Sequence, residues 1–171
     1  PFGDIAYDWF GLRAFAAQAG STYSAGPGPQ VLDLGPLGKV LPLICYEAVF
    51  PQDLRRAPGR ADWILQITND AWFGARIGPQ QHLAQARLRA IEQGLPMLRA
   101  ANTGISAVID ARGEILAALG MDRAGVIDAA LPAALPPTPY AGWGDWPVSA
   151  ALLALIALLL AVRRRGASSQ A

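Results

Sequence analysis

Residues 40–47 read Val-Leu-Pro-Leu-Ile-Cys-Tyr-Glu, an apolar run that ends in a cysteine, an aromatic residue and a carboxylate. Such a run after a turn (GPLG at residues 35–38) is typical of a buried strand, so we predict a strand over residues 40–46. A lone cysteine at a strand end is usually a small buried hydrophobic residue. At a sharp strand exit it can instead expose a nucleophile beside the following backbone N–H. Both interpretations of Cys45 are open at this point.

The chain up to residue 130 alternates short apolar runs with turn signals. We predict further strands at residues 30–34, 63–68, 97–101, 105–110 and 114–119. Residues 79–94 predict a helix, because Pro79 opens the segment, Gly94 closes it and apolar residues recur near helical spacing. Some predicted strands are joined by a helix and others by a tight turn. This order favours an α/β fold with a mixed sheet covered by helices.

The chain has 171 residues, of which 53% are hydrophobic and 16% charged, with one cysteine. This length suits one medium domain with its own core, and the composition excludes a disordered chain or a disulfide scaffold. Three arginines at residues 163–165 account for the net charge of +1, since 11 basic and 13 acidic residues precede them. We therefore expect no nucleic-acid partner. The chain starts at Pro1 without an initiator methionine or signal peptide, so we expect a piece of a longer protein.

An uncharged segment of 17 residues, 146–162, precedes the arginine triplet and reaches about 25 Å as a helix. This is near the lower limit of a membrane span, and a buried helix of a soluble core is the alternative. Trp143 and Trp146 at one end and arginines at the other favour the membrane. By the positive-inside rule the arginines are cytoplasmic, which places the preceding domain on the outer face.

These patterns divide the chain into four parts. We predict a globular domain at residues 1–130, a stiff extended tether rich in proline at residues 131–146, a transmembrane helix at residues 147–162 and a cytoplasmic basic tail at residues 163–171.

Four motifs carry a resemblance to a known family. Residues 44–47 (ICYE) resemble the nucleophile segment of the nitrilase, or carbon–nitrogen hydrolase, superfamily. Residues 68–74 (TNDAWFG) are similar to the signature of one branch, the apolipoprotein N-acyltransferases. Residues 99–106 (RAANTGIS) and the opening residues 1–4 (PFGD) follow the same branch in order. The likeness runs over about the whole chain and includes the C-terminal apolar segment.

The resemblance implies a four-layer αββα sandwich, incomplete at its N-terminus, with a Cys–Glu–Lys triad. Cys45 corresponds to the nucleophile and Glu47 to a supporting carboxylate. Asp4 falls where the family usually has a glutamate, so it is a possible supporting carboxylate shortened by one methylene. The triad Glu and Lys lie before Pro1 in the family. Lys39 is no substitute, because it lies about 20 Å from Cys45 along an extended strand.

The resemblance also suggests which residues surround the nucleophile. The N–H of Tyr46 would help hold the oxyanion, and Asn69 would lie close to the site in the TNDAWFG turn. Trp72 and Phe73 have two open interpretations, the core or the acyl entrance. We interpret His82 as a helix-face residue or local hydrogen bonder rather than a metal ligand, since it is the single histidine.

The function implied is acyl transfer in bacterial lipoprotein maturation at the inner membrane. A membrane phospholipid would donate a fatty acyl chain to the cysteine, and the resulting thioester would acylate the N-terminal amine of a diacylglyceryl-cysteine lipoprotein. No metal or organic cofactor is expected, and a monomer is expected. Two alternatives are an amidase of the carbon–nitrogen hydrolase type and a non-catalytic, membrane-tethered module. We expect this chain on its own to be inactive.

Overall fold

A six-stranded mixed sheet forms the centre of the computed structural model, which describes residues 26–74 and 76–168, with side chains up to Arg163. The strands are β1 Leu32–Asp33, β2 Lys39–Ile44, β3 Trp63–Thr68, β4 Met97–Ala101, β5 Ser106–Ile109 and β6 Ile115–Leu119. They lie in chain order across the sheet. Strands β2, β3 and β4 are parallel, and the remaining pairs are antiparallel. The predicted mixed sheet is confirmed.

Four helices complete the described fold: α1 Pro51–Arg56, α2 Gly78–Gln93, α3 Pro139–Trp143 and α4 Trp146–Ser168. Helices α1 and α2 supply the crossovers between the parallel strands. The predicted boundaries of α2 are confirmed to within one residue, because Pro79 lies in its first turn and Gly94 ends it. Gly94 has φ +63°, a left-handed conformation that a glycine adopts at little cost.

The hydrophobic core lies between one face of the sheet and helices α1 and α2. Strand residues that alternate towards this face, such as Leu43, Ile64 and Met97, pack with Leu54 of α1 and Leu83 of α2. On the opposite face, Ile44 and Ile67 are paired across β2 and β3 and are exposed. The described residues therefore cover one face of the sheet with helices and leave much of the other face open.

Two predicted strands end earlier than expected. Strand β2 stops at Ile44, and Cys45 begins a 3-10 helix, Cys45–Val49, instead of continuing the strand. Strand β1 has two residues rather than the predicted five, because Asp33 Oδ1 accepts a hydrogen bond from Gly35 N–H at 2.8 Å and starts the turn. At the end of each strand a carboxylate oxygen accepts a backbone N–H, Asp33 from Gly35 and Glu47 from Ile44, and this favours a turn over further strand.

The C-terminal apolar segment is a helix, as predicted. Residues Trp146–Arg163 of α4 have a mean hydropathy of 2.0, and none of this stretch is buried in the described structure. Within the described residues, no part of the chain buries this helix in a core. By length and composition α4 could cross a membrane.

The tether differs from the extended segment that its prolines predicted. Residues Pro139–Trp143 form the short helix α3, and the Thr138 hydroxyl accepts the N–H of Ala141 at 3.0 Å as its cap. Before α3, the tether is bound to the end of α2. Leu135 N–H donates to the carbonyl of Gly94 at 2.9 Å, and Arg60 donates to the carbonyl of Leu135 at 2.5 Å. The part of the tether around Leu135 is therefore hydrogen-bonded to the end of α2 and to Arg60.

Candidate active site

Cys45 occupies a strained position at the end of β2. Its φ of +51° lies in the left-handed region, which is uncommon for a residue other than glycine. Such a conformation costs about 1–3 kcal/mol and persists only where the surroundings enforce it. The side chain is half-buried, and the chain turns at once into the 3-10 helix. This is the sharp strand exit that the nucleophile interpretation of Cys45 requires.

Two side chains hold the backbone on either side of this bend. Glu47 Oε2 accepts a hydrogen bond from the Ile44 N–H at 2.6 Å. Gln66 Nε2, from β3, donates to the carbonyl oxygen of Cys45 at 3.2 Å. The carboxylate of Glu47 is thus engaged with the backbone immediately before the cysteine. This is a supporting contact, and it stabilises the turn.

A buried group of polar side chains, here called the His82 network, lies beneath the bend. Its members are Gln66, Thr68, Asp70, His82 and Arg99. His82 Nδ1 lies 2.9 Å from Asp70 Oδ1, and Arg99 Nη2 donates to Asp70 Oδ2 at 2.6 Å. Thr68 Oγ1 donates to Asp70 Oδ1 at 3.0 Å. Asp70 is therefore an acceptor for three side chains from β3, α2 and β4.

Charge is balanced inside the network by the Asp70–Arg99 pair. Burial lowers the pKa of the Arg99 guanidinium, while the Asp70 carboxylate opposes this shift. Arg99 also donates through Nε to the Ile105 carbonyl at 3.1 Å and through Nη1 to Gln66 Oε1. A buried ion pair with such additional hydrogen bonds is costly to break, because removing one partner leaves a buried charge without compensation.

Two asparagines join the loops that follow β3 and β4. Asn69 Oδ1 accepts from Asn102 Nδ2 at 2.7 Å and from Ala71 N–H at 3.2 Å. Asn102 Oδ1 in turn accepts from Asp70 N–H at 3.1 Å and from Thr103 N–H at 2.6 Å. Asn102 therefore holds the turn that follows β4 through its side-chain oxygen. These contacts also bring the TNDAWFG and RAANTGIS segments together at the carboxyl ends of parallel strands, where ligands bind in open α/β sheets.

The aromatic residues at this edge differ in burial. Tyr46 is 53% exposed and packs against Phe50, with ring centroids 5.6 Å apart. Trp72 is 70% exposed, so it does not belong to the core of the described residues. Phe73 is half-buried and packs edge-on against His82 at 4.9 Å. Tyr46 and Trp72 therefore add apolar surface near the strand ends, whereas Phe73 covers the His82 network.

Gln66 and Arg99 were not identified from the sequence, although a signal for them exists. Each is a polar residue within an otherwise apolar strand, and the two are paired in register across β3 and β4. His82 is a buried hydrogen bonder on the inner face of α2, but its connection to Cys45 through Gln66 was not predicted. Lys39 is exposed at the opposite end of β2, as expected. Asp4 lies outside the described residues.

The described geometry joins a strained cysteine, a neighbouring carboxylate and a buried ion pair at one edge of a mixed sheet, and comparison with known proteins identifies the class. The chain belongs to the carbon–nitrogen hydrolase family, whose family model matches residues 16–151. The nitrilase-like fold class predicted from the sequence is thereby confirmed.

Individual relatives narrow the resemblance. The chain is 54% identical over 143 residues to an apolipoprotein N-acyltransferase of Bradyrhizobium diazoefficiens, covering 84% of this chain and 26% of the relative. It is 51% identical over 143 residues to the apolipoprotein N-acyltransferase of Rhodopseudomonas palustris, with the same coverage. The chain thus spans about a quarter of the length of these curated relatives.

Solved structures of the same class are also similar. An amidase from Nesterenkonia sp. AN1, with acrylamide added at its active-site cysteine, is 28% identical with a TM-score of 0.47, covering 58% of this chain and 41% of that one. A carbon–nitrogen hydrolase from Helicobacter pylori is 18% identical with a TM-score of 0.49, covering 57% and 41%.

Proposed function

We propose that the complete protein is an apolipoprotein N-acyltransferase in which Cys45 is the nucleophile. The observation that carries this proposal is the left-handed strand exit at Cys45, within a chain 54% identical to a relative of that name. A strained nucleophile at the carboxyl edge of parallel strands suits acyl transfer, because the sharp turn exposes the thiol beside the backbone N–H of the following residue.

The proposed reaction has two halves that share one thioester. A glutamate base from the part of the protein before this chain takes the thiol proton, because a free cysteine with a pKa of about 8.5 is mostly protonated at neutral pH. The thiolate attacks the acyl ester of a phospholipid, the C–S bond forms, and the C–O bond breaks. The lysophospholipid leaves with the proton. The α-amino group of a diacylglyceryl-cysteine lipoprotein then attacks the thioester carbonyl, and the C–N bond forms while the C–S bond breaks. The thiolate is released, and the glutamate base takes the proton that the amine loses.

The chain's own residues have supporting roles in this scheme. Glu47 stabilises the bend through the Ile44 N–H, and the backbone N–H of Tyr46 is proposed to donate to the oxyanion. Trp72, exposed at the same edge, is proposed to contact the acyl chain, and Asn69 to hold its loop. Phe73 is proposed to support that surface from beneath. The role of Asp4 as a further carboxylate also remains a proposal.

The membrane arrangement is part of the same proposal. Residues 1–130 would form the catalytic part, residues 131–146 a tether and residues 147–162 a span of the bacterial inner membrane. With residues 163–171 in the cytoplasm, the catalytic part would face outward. The exposed apolar surface of α4 supports a membrane position, since it has no covering protein among the described residues. Both substrates would then reach the site from the membrane, and the protein would act as a monomer.

The proposal is tested by replacing Cys45 in the complete protein. Cys45→Ala should abolish the acyl-enzyme, and Cys45→Ser should be nearly inactive because a hydroxyl is far less ionised than a thiol. The measurement is mass spectrometry of the protein after incubation with phospholipid, together with transfer to a diacylglyceryl peptide. Lys39→Ala is the matched control and should keep full activity, because Lys39 is exposed at the far end of β2. An acyl group on the alanine variant would contradict the proposal.

Amide hydrolysis is a second candidate, favoured by the match to the carbon–nitrogen hydrolase family as a whole. The same thioester would form from an amide, and water would replace the lipoprotein amine as the acceptor. Release of ammonia from small amides by the complete protein, without transfer to the peptide, would favour this function. Absence of both activities would favour a non-catalytic membrane-tethered module.

A further inference from the structure

Gln66 contacts the backbone of Cys45, and its hydrogen bonds fix the orientation of its side-chain amide. Arg99 Nη1 donates to Gln66 Oε1, so the oxygen of the Gln66 amide must face Arg99. The amide nitrogen then faces the Cys45 carbonyl at 3.2 Å and His82 Nε2 at 3.1 Å. Rotating the amide would place a nitrogen donor against Arg99 and an oxygen against a carbonyl. Gln66 is completely buried, so no solvent offers an alternative partner.

The same contacts determine which ring nitrogen of His82 accepts a hydrogen bond and which one donates. Because Gln66 donates to Nε2, that nitrogen carries no proton, and the proton is on Nδ1, which donates to Asp70 Oδ1 at 2.9 Å. Arg99 Nη2 lies 3.3 Å from the same Nδ1 but has Asp70 Oδ2 as its acceptor. One continuous set of hydrogen bonds therefore runs from Asp70 through His82 and Gln66 to the Cys45 carbonyl.

We propose that Gln66 and His82 are positioning residues that hold Cys45 in its left-handed conformation. This inference rests on the proposed role of Cys45 as the nucleophile. The peptide plane that contains the Cys45 carbonyl also contains the N–H of Tyr46. Fixing the carbonyl through Gln66 therefore fixes the direction of that N–H, the proposed oxyanion donor, as well as the direction of the thiol. His82 acts one step further away by orienting the Gln66 amide.

The decisive variant is Gln66→Glu in the complete protein. It preserves the volume and the oxygen that accepts from Arg99, but it replaces both N–H donors by an oxygen facing the Cys45 carbonyl. We expect the alkylation rate of Cys45 by iodoacetamide, followed by mass spectrometry of its peptide, to fall about 10- to 100-fold, the size of effect that misplacing a reactive group produces. The kcat for acyl transfer should fall by a similar factor while KM stays within about twofold.

Gln93→Glu is the matched control. Gln93 is likewise buried, on α2, but its amide nitrogen contacts neither Cys45 nor the His82 network. It undergoes the same chemical change, so alkylation and kcat should stay at the wild-type value. A folded Gln66→Glu protein, judged by its thermal unfolding midpoint, that is alkylated as fast as wild type would overturn the inference.

A second pair of variants decides the question if Gln66→Glu does not fold. His82→Gln retains an oxygen that can accept from Gln66 and should keep most of the Cys45 reactivity, whereas His82→Leu removes the acceptor and should lose it. Equal reactivity of these two variants would overturn the inference. The alkylation measurement does not require acyl transfer. Wild-type protein that is alkylated but transfers no acyl group would therefore refute the proposed function. The ratio of each variant's alkylation rate to that of wild type would still test the positioning role of Gln66 and His82.

Discussion

Helix α2 contacts two groups of buried or half-buried polar side chains, which differ in how completely their hydrogen bonds are satisfied. The His82 network lies near the start of the helix, and none of its buried side-chain nitrogen or oxygen atoms lacks a partner within the described residues. Near the helix end lies a second group, here called the Arg89 cluster, formed by Arg89, Glu92 and Gln93. There Arg89 Nε, Glu92 Oε2 and Gln93 Nε2 have no partner within the same residues.

The two groups also connect different parts of the molecule. The His82 network joins β3, β4 and α2 to the Cys45 carbonyl. In the Arg89 cluster, Arg89 pairs with Glu92 at 2.6 Å on the same helix and donates to the carbonyl of Val49 at 3.2 Å. A buried network whose hydrogen bonds are all satisfied fixes one arrangement of the elements that it joins. A network with unsatisfied atoms loses fewer hydrogen bonds when its side chains rearrange. The rigid group is thus the one that lies under the candidate nucleophile.

The largest expected effect on the free energy of unfolding comes from converting the Asp70 carboxylate to an amide, compared with the same change at Glu92. Asp70→Asn should lower the free energy of unfolding by about 3–5 kcal/mol, because it leaves Arg99 buried without a counter-charge. Glu92→Gln, the same chemical change in the Arg89 cluster, should change the free energy of unfolding by less than about 1 kcal/mol, because its pair is partly exposed and incompletely bonded and burial already disfavours the charged carboxylate. Thermal unfolding midpoints of the complete protein in detergent measure both. Equal losses would remove the distinction between the two groups.

A smaller effect is expected from crowding the His82 network. A Cβ added at Gly104 would overlap Asp70 Oδ2, so Gly104→Ala must displace a carboxylate that already accepts three hydrogen bonds. The expected cost is about 1–3 kcal/mol, with a parallel loss of Cys45 alkylation. Gly120→Ala is the control, since nothing lies within 4 Å of its added Cβ, and it should leave both quantities unchanged. An unaffected Gly104→Ala protein would show that the network has room to adjust.

The smallest effect is a pH dependence confined to the Arg89 cluster. Burial raises the pKa of the Glu92 carboxyl above its usual 4.5, and the Arg89 guanidinium only partly opposes this shift. The folded state then binds this proton more tightly than the unfolded state. The resulting stability is present below the unfolded pKa and is lost as the pH rises through the folded pKa.

Glu92→Gln cannot ionise, so its stability relative to wild type should increase as the pH rises from just below about 4.5 towards neutrality. Unfolding midpoints of the two proteins measured in parallel across this interval give the difference, in which the titration of all other groups cancels. A difference that is constant, or that decreases with pH, would contradict the assignment.

Local sequence signals were sufficient for most elements of the fold. Strand β3 and helix α2 follow directly from an apolar run and from Pro79 and Gly94, because these signals act within one element. The tether was predicted less well. Its prolines indicated an extended segment, but Thr138 caps a short helix and Arg60, distant in sequence, binds the carbonyl of Leu135.

The sequence by itself determined the mixed sheet, the long apolar helix α4 and the position of Cys45 at a strand end, because periodicity, capping and motif order are properties of neighbouring residues. Only the tertiary structure decided that Cys45 is left-handed and that Gln66, His82 and Arg99 meet beneath it. That meeting depends on the parallel register of β3 with β4 and on the side of the sheet that α2 covers. Residues separated by 16 to 33 positions form these hydrogen bonds, and no local pattern specifies distances between elements.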